Sequence, residues 1–95
     1  MPINITRVTD TDYEKIEWLC DGVWELPSQI SALEMWLTKS QSKLQPDSYI
    51  ADVGFCSRPD ASGGGAALTI EAMRIMAELG MELHLSEYDG WNSAT

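Results

Sequence analysis

Apolar and polar residues alternate along Ile3-Asn4-Ile5-Thr6, and the β-branched members suit a short strand at a sheet edge. Thr9-Asp10-Thr11-Asp12 then reads as a turn. From Tyr13 to Cys20 a period of two sets Ile16, Trp18 and Cys20 against Glu17, Leu19 and Asp21. This predicts a second strand, with a short helix capped by Asp10 or Thr11 as its competitor, and Asp21-Gly22 ends either one. The period then lengthens. Ile30, Leu33, Trp36, Leu37 and Leu44 recur at helical spacing within an arc of about 120°, behind Pro27-Ser28-Gln29, where Ser28 takes the N-cap position. Met35 points the opposite way, Glu34, Lys39 and Lys43 form a solvated face, and Gln45-Pro46-Asp47 stops the helix.

Alternation returns from Ser48 to Cys56, with Tyr49, Ala51, Val53 and Phe55 on one face and Ile50, Asp52, Gly54 and Cys56 on the other. A glycine-rich loop follows. Thr69 then caps a second helix that runs to Leu79, and Gly80 sits where a left-handed terminating residue is wanted. That helix is apolar nearly all round: Ile70, Met73, Met76 and Ala77 make one face, and Ala72, Ile75 and Leu79 another. Only Glu71, Arg74 and Glu78 form a polar strip, so the helix needs cover on two sides. Met81 to Tyr88 alternates strictly as a half-buried strand, and Asp89-Gly90-Trp91-Asn92 is a turn signal.

The order strand, strand, helix, strand, helix, strand predicts one α/β (α+β) domain over residues 1–95. It is a two-layer sandwich, with a mixed sheet of about four strands and two helices on one face. The other face would carry Glu17, Leu19, Ile50, Asp52, Glu82 and His84, semi-polar and acidic.

Charge sharpens this picture. Fifteen acidic residues against six basic ones give a formal net charge of −9, which disfavours nucleic acid and anionic membranes and favours a basic protein partner. Solubility alone accounts for such a surface equally well. No apolar run reaches the roughly 18 residues of a membrane span, and Met1-Pro2-Ile3-Asn4 lacks the pattern of a signal peptide, so a cytoplasmic protein is expected. Cys20 and Cys56 are too few for a disulfide framework and are expected as buried free thiols.

The loop Cys56-Ser-Arg-Pro-Asp-Ala-Ser-Gly-Gly-Gly-Ala-Ala-Leu68 lies where nucleotide-binding folds cradle phosphate. Ala66-Ala67 stand in place of the lysine and hydroxyl that a Walker loop requires, and Leu68 replaces the third glycine of the dinucleotide fingerprint. A flexible crossover is the better expectation. His84, the one histidine, lies about 7 Å from Glu82 by strand rise, and no nucleophile can be tied to it. No ligand spacing for zinc occurs, and Asp10-Thr11-Asp12 lacks the later glycine and glutamate of a calcium loop. The expectation is therefore a non-enzyme without cofactor or metal.

Trp18 and Trp36 have places in apolar stripes and are expected in the core. Trp24 lies between elements and Trp91 follows Asp89-Gly90 near the end, loop aromatics flanked by acids as in protein interfaces. The stretches Trp18, Leu26-Pro27-Ser28-Gln29-Ile30-Ser31-Ala32-Leu33, Leu68-Thr69-Ile70-Glu71-Ala72-Met73 and Leu79-Gly80-Met81-Glu82-Leu83-His84-Leu85-Ser86-Glu87-Tyr88 resemble small acidic bacterial proteins. Some of these occur among the immunity proteins that neutralise polymorphic toxins. The resemblance implies a binding protein directed at a toxin and brings no catalytic residues. Trp24, Asp52, Glu82, Glu87, Asp89 and Trp91 are the expected partner contacts. The alternatives are a phage-encoded inhibitor of a bacterial defence complex, an acidic protein that occupies the nucleic-acid channel of an effector, and a homodimeric structural or regulatory domain joined through the second helix, with Ile75 and Leu79 on its outer side.

Overall fold

A computed structural model describes residues 2–58, 60 and 62–88. It contains β1 (Ile3–Val8), β2 (Tyr13–Leu19), α1 (Leu26–Ser40), β3 (Tyr49–Cys56), α2 (Ile70–Leu79) and β4 (Met81–Tyr88). The four strands form one mixed sheet in the order β2-β1-β3-β4. β1 pairs antiparallel with both β2 and β3, and β3 pairs parallel with β4 through the α2 crossover. Both helices lie on one face, giving the two-layer α+β sandwich that the order of elements predicts. No helix among the described residues is long and apolar enough to cross a membrane.

β1 is an inner strand rather than an edge. Its apolar positions, Ile3 and Ile5, are fully buried, and the strand continues through Arg7 and Val8, which the alternation at Ile3–Thr6 does not announce. Arg7 bonds Glu14 of β2 at 2.6 Å and Asp47, just before β3, at 3.1 Å, and so ties three segments at one end of the sheet.

Residues 13–19 are strand, so the helical alternative for this segment falls away. The strand is not regular. Ile5 pairs with Glu17 while Thr6 pairs with Lys15, so Ile16 is an extra residue, a β-bulge. A one-residue insertion reverses the alternation on either side of it. Leu19 and Glu17 consequently share the helix-covered side with Ile3 and Ile5, and Lys15 and Trp18 share the open side. The expected placement of Glu17 and Leu19 on the open face, and of Trp18 in the core, is corrected by this one residue.

Ile30, Leu33 and Leu37 of α1 are buried and Trp36 packs beside them, as the helical stripe requires. The helix begins earlier than Ser28. Glu25 is the N-cap without a side-chain bond, and Pro27 lies inside the first turn, where its missing N–H costs nothing. It also ends earlier, at Ser40, and Leu44 reaches the core from the turn that follows. Gln29 is fully buried. Its Nε2 donates to the carbonyls of Val23 at 2.8 Å and Gly54 at 2.7 Å, pinning the start of α1 to β3 and to its own entry loop.

Thr69 caps α2 by accepting from the Ala72 N–H at 3.1 Å, and Gly80 ends it at φ 82°. Glu34 is drawn off the expected solvated face of α1, because its carboxylate accepts from the Thr69 N–H at 2.8 Å and fastens the two helices. Ala72, Ile75, Met76 and Leu79 face the core. Ile75 and Leu79 are therefore inner residues, contrary to expectation, and Ile70 and Met73 point outward. Among the described residues α2 packs against α1 and β4, and the side with Ile70 and Met73 is left uncovered.

Candidate functional site

With both helices on one face, the opposite face of the sheet is open, and the registers line its residues into rows. Trp18, Asn4, Asp52 and His84 stand side by side across all four strands. Lys15, Thr6, Ile50 and Glu82 form the next row. Neighbours in such rows are about 4.5–5.5 Å apart at Cβ, so each row is a contiguous strip.

The bulge determines what Trp18 does. Residues three apart on a regular strand face opposite ways, but the extra Ile16 brings Lys15 and Trp18 together, and the Lys15 ammonium lies 3.3 Å from the indole centroid. Trp18 is 45% exposed, a flat apolar platform at the β2 end of the face. On β3 and β4, Asp52 accepts from the Ser86 hydroxyl at 2.7 Å, and the His84 Nε2 lies 3.1 Å from a Glu82 carboxylate oxygen. The His84–Glu82 side-chain contact is thus closer than their strand spacing alone implies. Apart from His84, the charges on these two rows are Asp52 and Glu82 against Lys15, whose ammonium is spread on the Trp18 ring.

The carboxyl end of the face is closed by an aromatic pair. Trp24, in the β2–α1 connection, meets Tyr88 edge to face with centroids 5.8 Å apart and planes at 86°. Gly54 makes room for the tyrosine. A Cβ there would lie 2.9 Å from Tyr88 Cε2, so only glycine lets the ring rest on the sheet. Tyr88 is half exposed and Trp24 slightly less so.

Glu87 lies apart from this surface. It follows the parity of Met81, Leu83 and Leu85, faces the helix side, and accepts from the Ser57 hydroxyl. It borders a cleft of about 380 Å³ between the start of α1, the ends of β3 and β4, and Gly63–Gly65. Leu26, Pro27 and Phe55 make its apolar walls, and Glu25 and Glu87 are its acids. Arg58 also lines the cleft, and its guanidinium donates to the Gly63 carbonyl at 3.3 Å. The expected contacts Asp89 and Trp91 lie outside the described residues.

Cys20 and Cys56 are free and half-buried rather than buried. Burial pushes the Cys20 thiol above its usual value, which lowers its thiolate fraction at neutral pH. No group of three or more His, Cys, Asp and Glu side chains able to hold a metal ion occurs among the described residues. Of the expected contacts, Asp52 and Glu82 thus share the open face and Trp24 stands at its end. Trp18, Lys15 and Tyr88 belong with them and were not foreseen. Comparison with protein-family models, curated proteins and solved structures finds no match to the chain.

Proposed function

We propose that this chain is a non-enzymatic binding protein that docks a basic protein on the open face of its sheet. The observation that carries the proposal is the composition of that face, where half-exposed Trp18 and Tyr88 flank the carboxylates of Asp52 and Glu82 in a chain of net charge −9. Aromatic platforms supply the affinity of such interfaces, and carboxylates around them accelerate encounter and set orientation. A toxin held by its immunity protein is the partner class that agrees with the resemblance of the sequence, and occupation of the toxin's working surface is the corresponding mechanism.

Affinity capture from the native host, run in parallel with the wild-type chain and with an Asp52→Lys/Glu82→Lys variant, tests the proposal. The wild type is expected to retain a basic protein that elutes with salt. The variant should associate with it at least about tenfold more slowly. Retention of the same protein by both baits, insensitive to salt, overturns the proposal.

A further inference from the structure

The sheet has two edges, and they differ in kind. β2 carries the bulge at Ile16 together with Lys15, Glu14 and Glu17, devices that blunt an edge against pairing. β4 has two glutamates, Glu82 and Glu87, but neither bulge nor lysine. Its eight residues pair with β3 in unbroken register from Met81 to Tyr88, without proline, lysine or bulge, and no strand among the described residues pairs with its outer side.

The helix above this edge is apolar on the same side. α1 lies against β2 and β3, and α2 lies against α1 and β4. Glu78 of α2 neighbours Gln41 and Leu44 beyond the end of α1, so the Glu71–Arg74–Glu78 strip belongs to the flank toward α1. Turned by about 100° per residue, Met73 and Ala77 fall toward the other flank, which overlooks β4, and Ile70 points away from the sheet between the two flanks. Ile70 is 83% exposed and Met73 47%, and Leu85 of β4, on the helix side of the strand, is 56% exposed.

We propose that a second copy of this chain docks here. β4 pairs antiparallel with its mate about a two-fold axis through His84, and the outer flanks of the two α2 helices pack across the seam. The strand is self-complementary in that register. An axis perpendicular to the sheet keeps all helices on one face, so odd-numbered residues meet odd-numbered ones. Leu83 then faces Leu85 of the mate and Leu85 faces its Leu83, Glu82 faces Ser86, and Met81 faces Glu87, with no like charges opposed. Centring on Leu85 instead sets Leu83 against Glu87, and centring on Leu83 shortens the ladder.

An eight-residue strand is about 26 Å long, and a strand with its overlying helix stands about 20 Å high. That gives a footprint of roughly 500 Å² per copy and about 1,000 Å² in total, the size at which specific interfaces begin. The proposal is independent of the binding role of the open face, which dimerisation leaves uncovered and joins into one surface of eight strands.

Sedimentation equilibrium of the full chain, from micromolar to about 1 mM, tests it. A monomer–dimer equilibrium is expected whose dissociation constant falls as salt screens the net negative charge, opposite in sign to the salt response of a basic partner. Leu85→Lys, at an exposed position, should raise that constant at least tenfold while leaving circular dichroism and, at concentrations where both chains are monomeric, the denaturation midpoint unchanged. His84→Cys, facing its mate at the axis, should form a covalent dimer on mild oxidation. A chain that stays monomeric throughout overturns the proposal, as does one whose β4 edge instead accepts a strand of another protein. Dimerisation unaffected by Leu85→Lys, or covalent closure by Leu83→Cys or Leu85→Cys in place of His84→Cys, overturns it equally.

Discussion

Replacing Gly80 and Gly22 separately by alanine isolates a steric contact, because the two glycines share a φ of 82° and have very different surroundings. A side chain in this left-handed region costs about 1–2 kcal/mol, and the loss of freedom in the unfolded chain is common to both variants. Around Gly22 an added methyl meets nothing within 4 Å. At Gly80 it would stand 2.1 Å from the Asp47 carbonyl oxygen, which belongs to the backbone and cannot swing aside. The same turn holds two hydrogen bonds, from the Asp47 N–H to the Leu79 carbonyl at 3.0 Å and from the Tyr49 N–H to the Gly80 carbonyl at 3.1 Å. Moving Asp47 out of the way loosens both, at about 0.5–1.5 kcal/mol each. Gly22→Ala should therefore cost about 1 kcal/mol and Gly80→Ala about 2–4 kcal/mol. Urea unfolding followed by tryptophan fluorescence reads the difference, provided the slope with denaturant is unchanged. Equal losses at the two sites would refute the reasoning, since the conformational term alone would then account for both.

Gln29→Leu removes the donor that serves the Val23 and Gly54 carbonyls and should destabilise by about 2–4 kcal/mol; a loss below about 1 kcal/mol in the same unfolding assay contradicts the pinning role. The Asp47 carboxyl is held below its usual range, first by the Ser48 backbone N–H and then by Arg7. A depressed carboxyl contributes stability that is present above its unfolded pKa and is lost as pH falls through the folded one. Asp47→Asn should therefore flatten the acid-side fall in denaturation midpoint below about pH 4, and an unaltered profile would remove Asp47 from the account.

Most of the fold is legible because its signals are local. Thr69 and Gly80 bracket α2 with groups whose chemistry acts within a few residues, and Tyr49, Ala51, Val53 and Phe55 mark the inner face of β3 by period alone. Ser28 misleads for the opposite reason: it has a capping side chain, but Pro27 already fits the first turn, and the chain enters the helix one turn earlier. The open face is legible at Asp52, Glu82 and His84, whose strands are regular. Trp18 is misread because the bulge at Ile16 arises from pairing with β1, and a period measured along one strand cannot register an extra residue in its neighbour's ladder. Gln29 is missed because its burial depends on a carbonyl of its entry loop, Val23, and on one distant in sequence, Gly54, with no periodic signal to betray either.

The mixed sheet also orders the assembly of the chain. β1 and β2 are joined by a four-residue turn and can zip on the timescale of a hairpin, whereas Ile3 must find Val53 fifty positions away before β1 meets β3. That central ladder is where loop-closure entropy is concentrated, and it joins an antiparallel half to a parallel half in one cooperative unit. A partner laid across the row from Trp18 to His84 would touch both halves at once. Binding there would act as a clasp on the slowest-formed seam, lengthening the lifetime of the folded chain as well as occupying its surface.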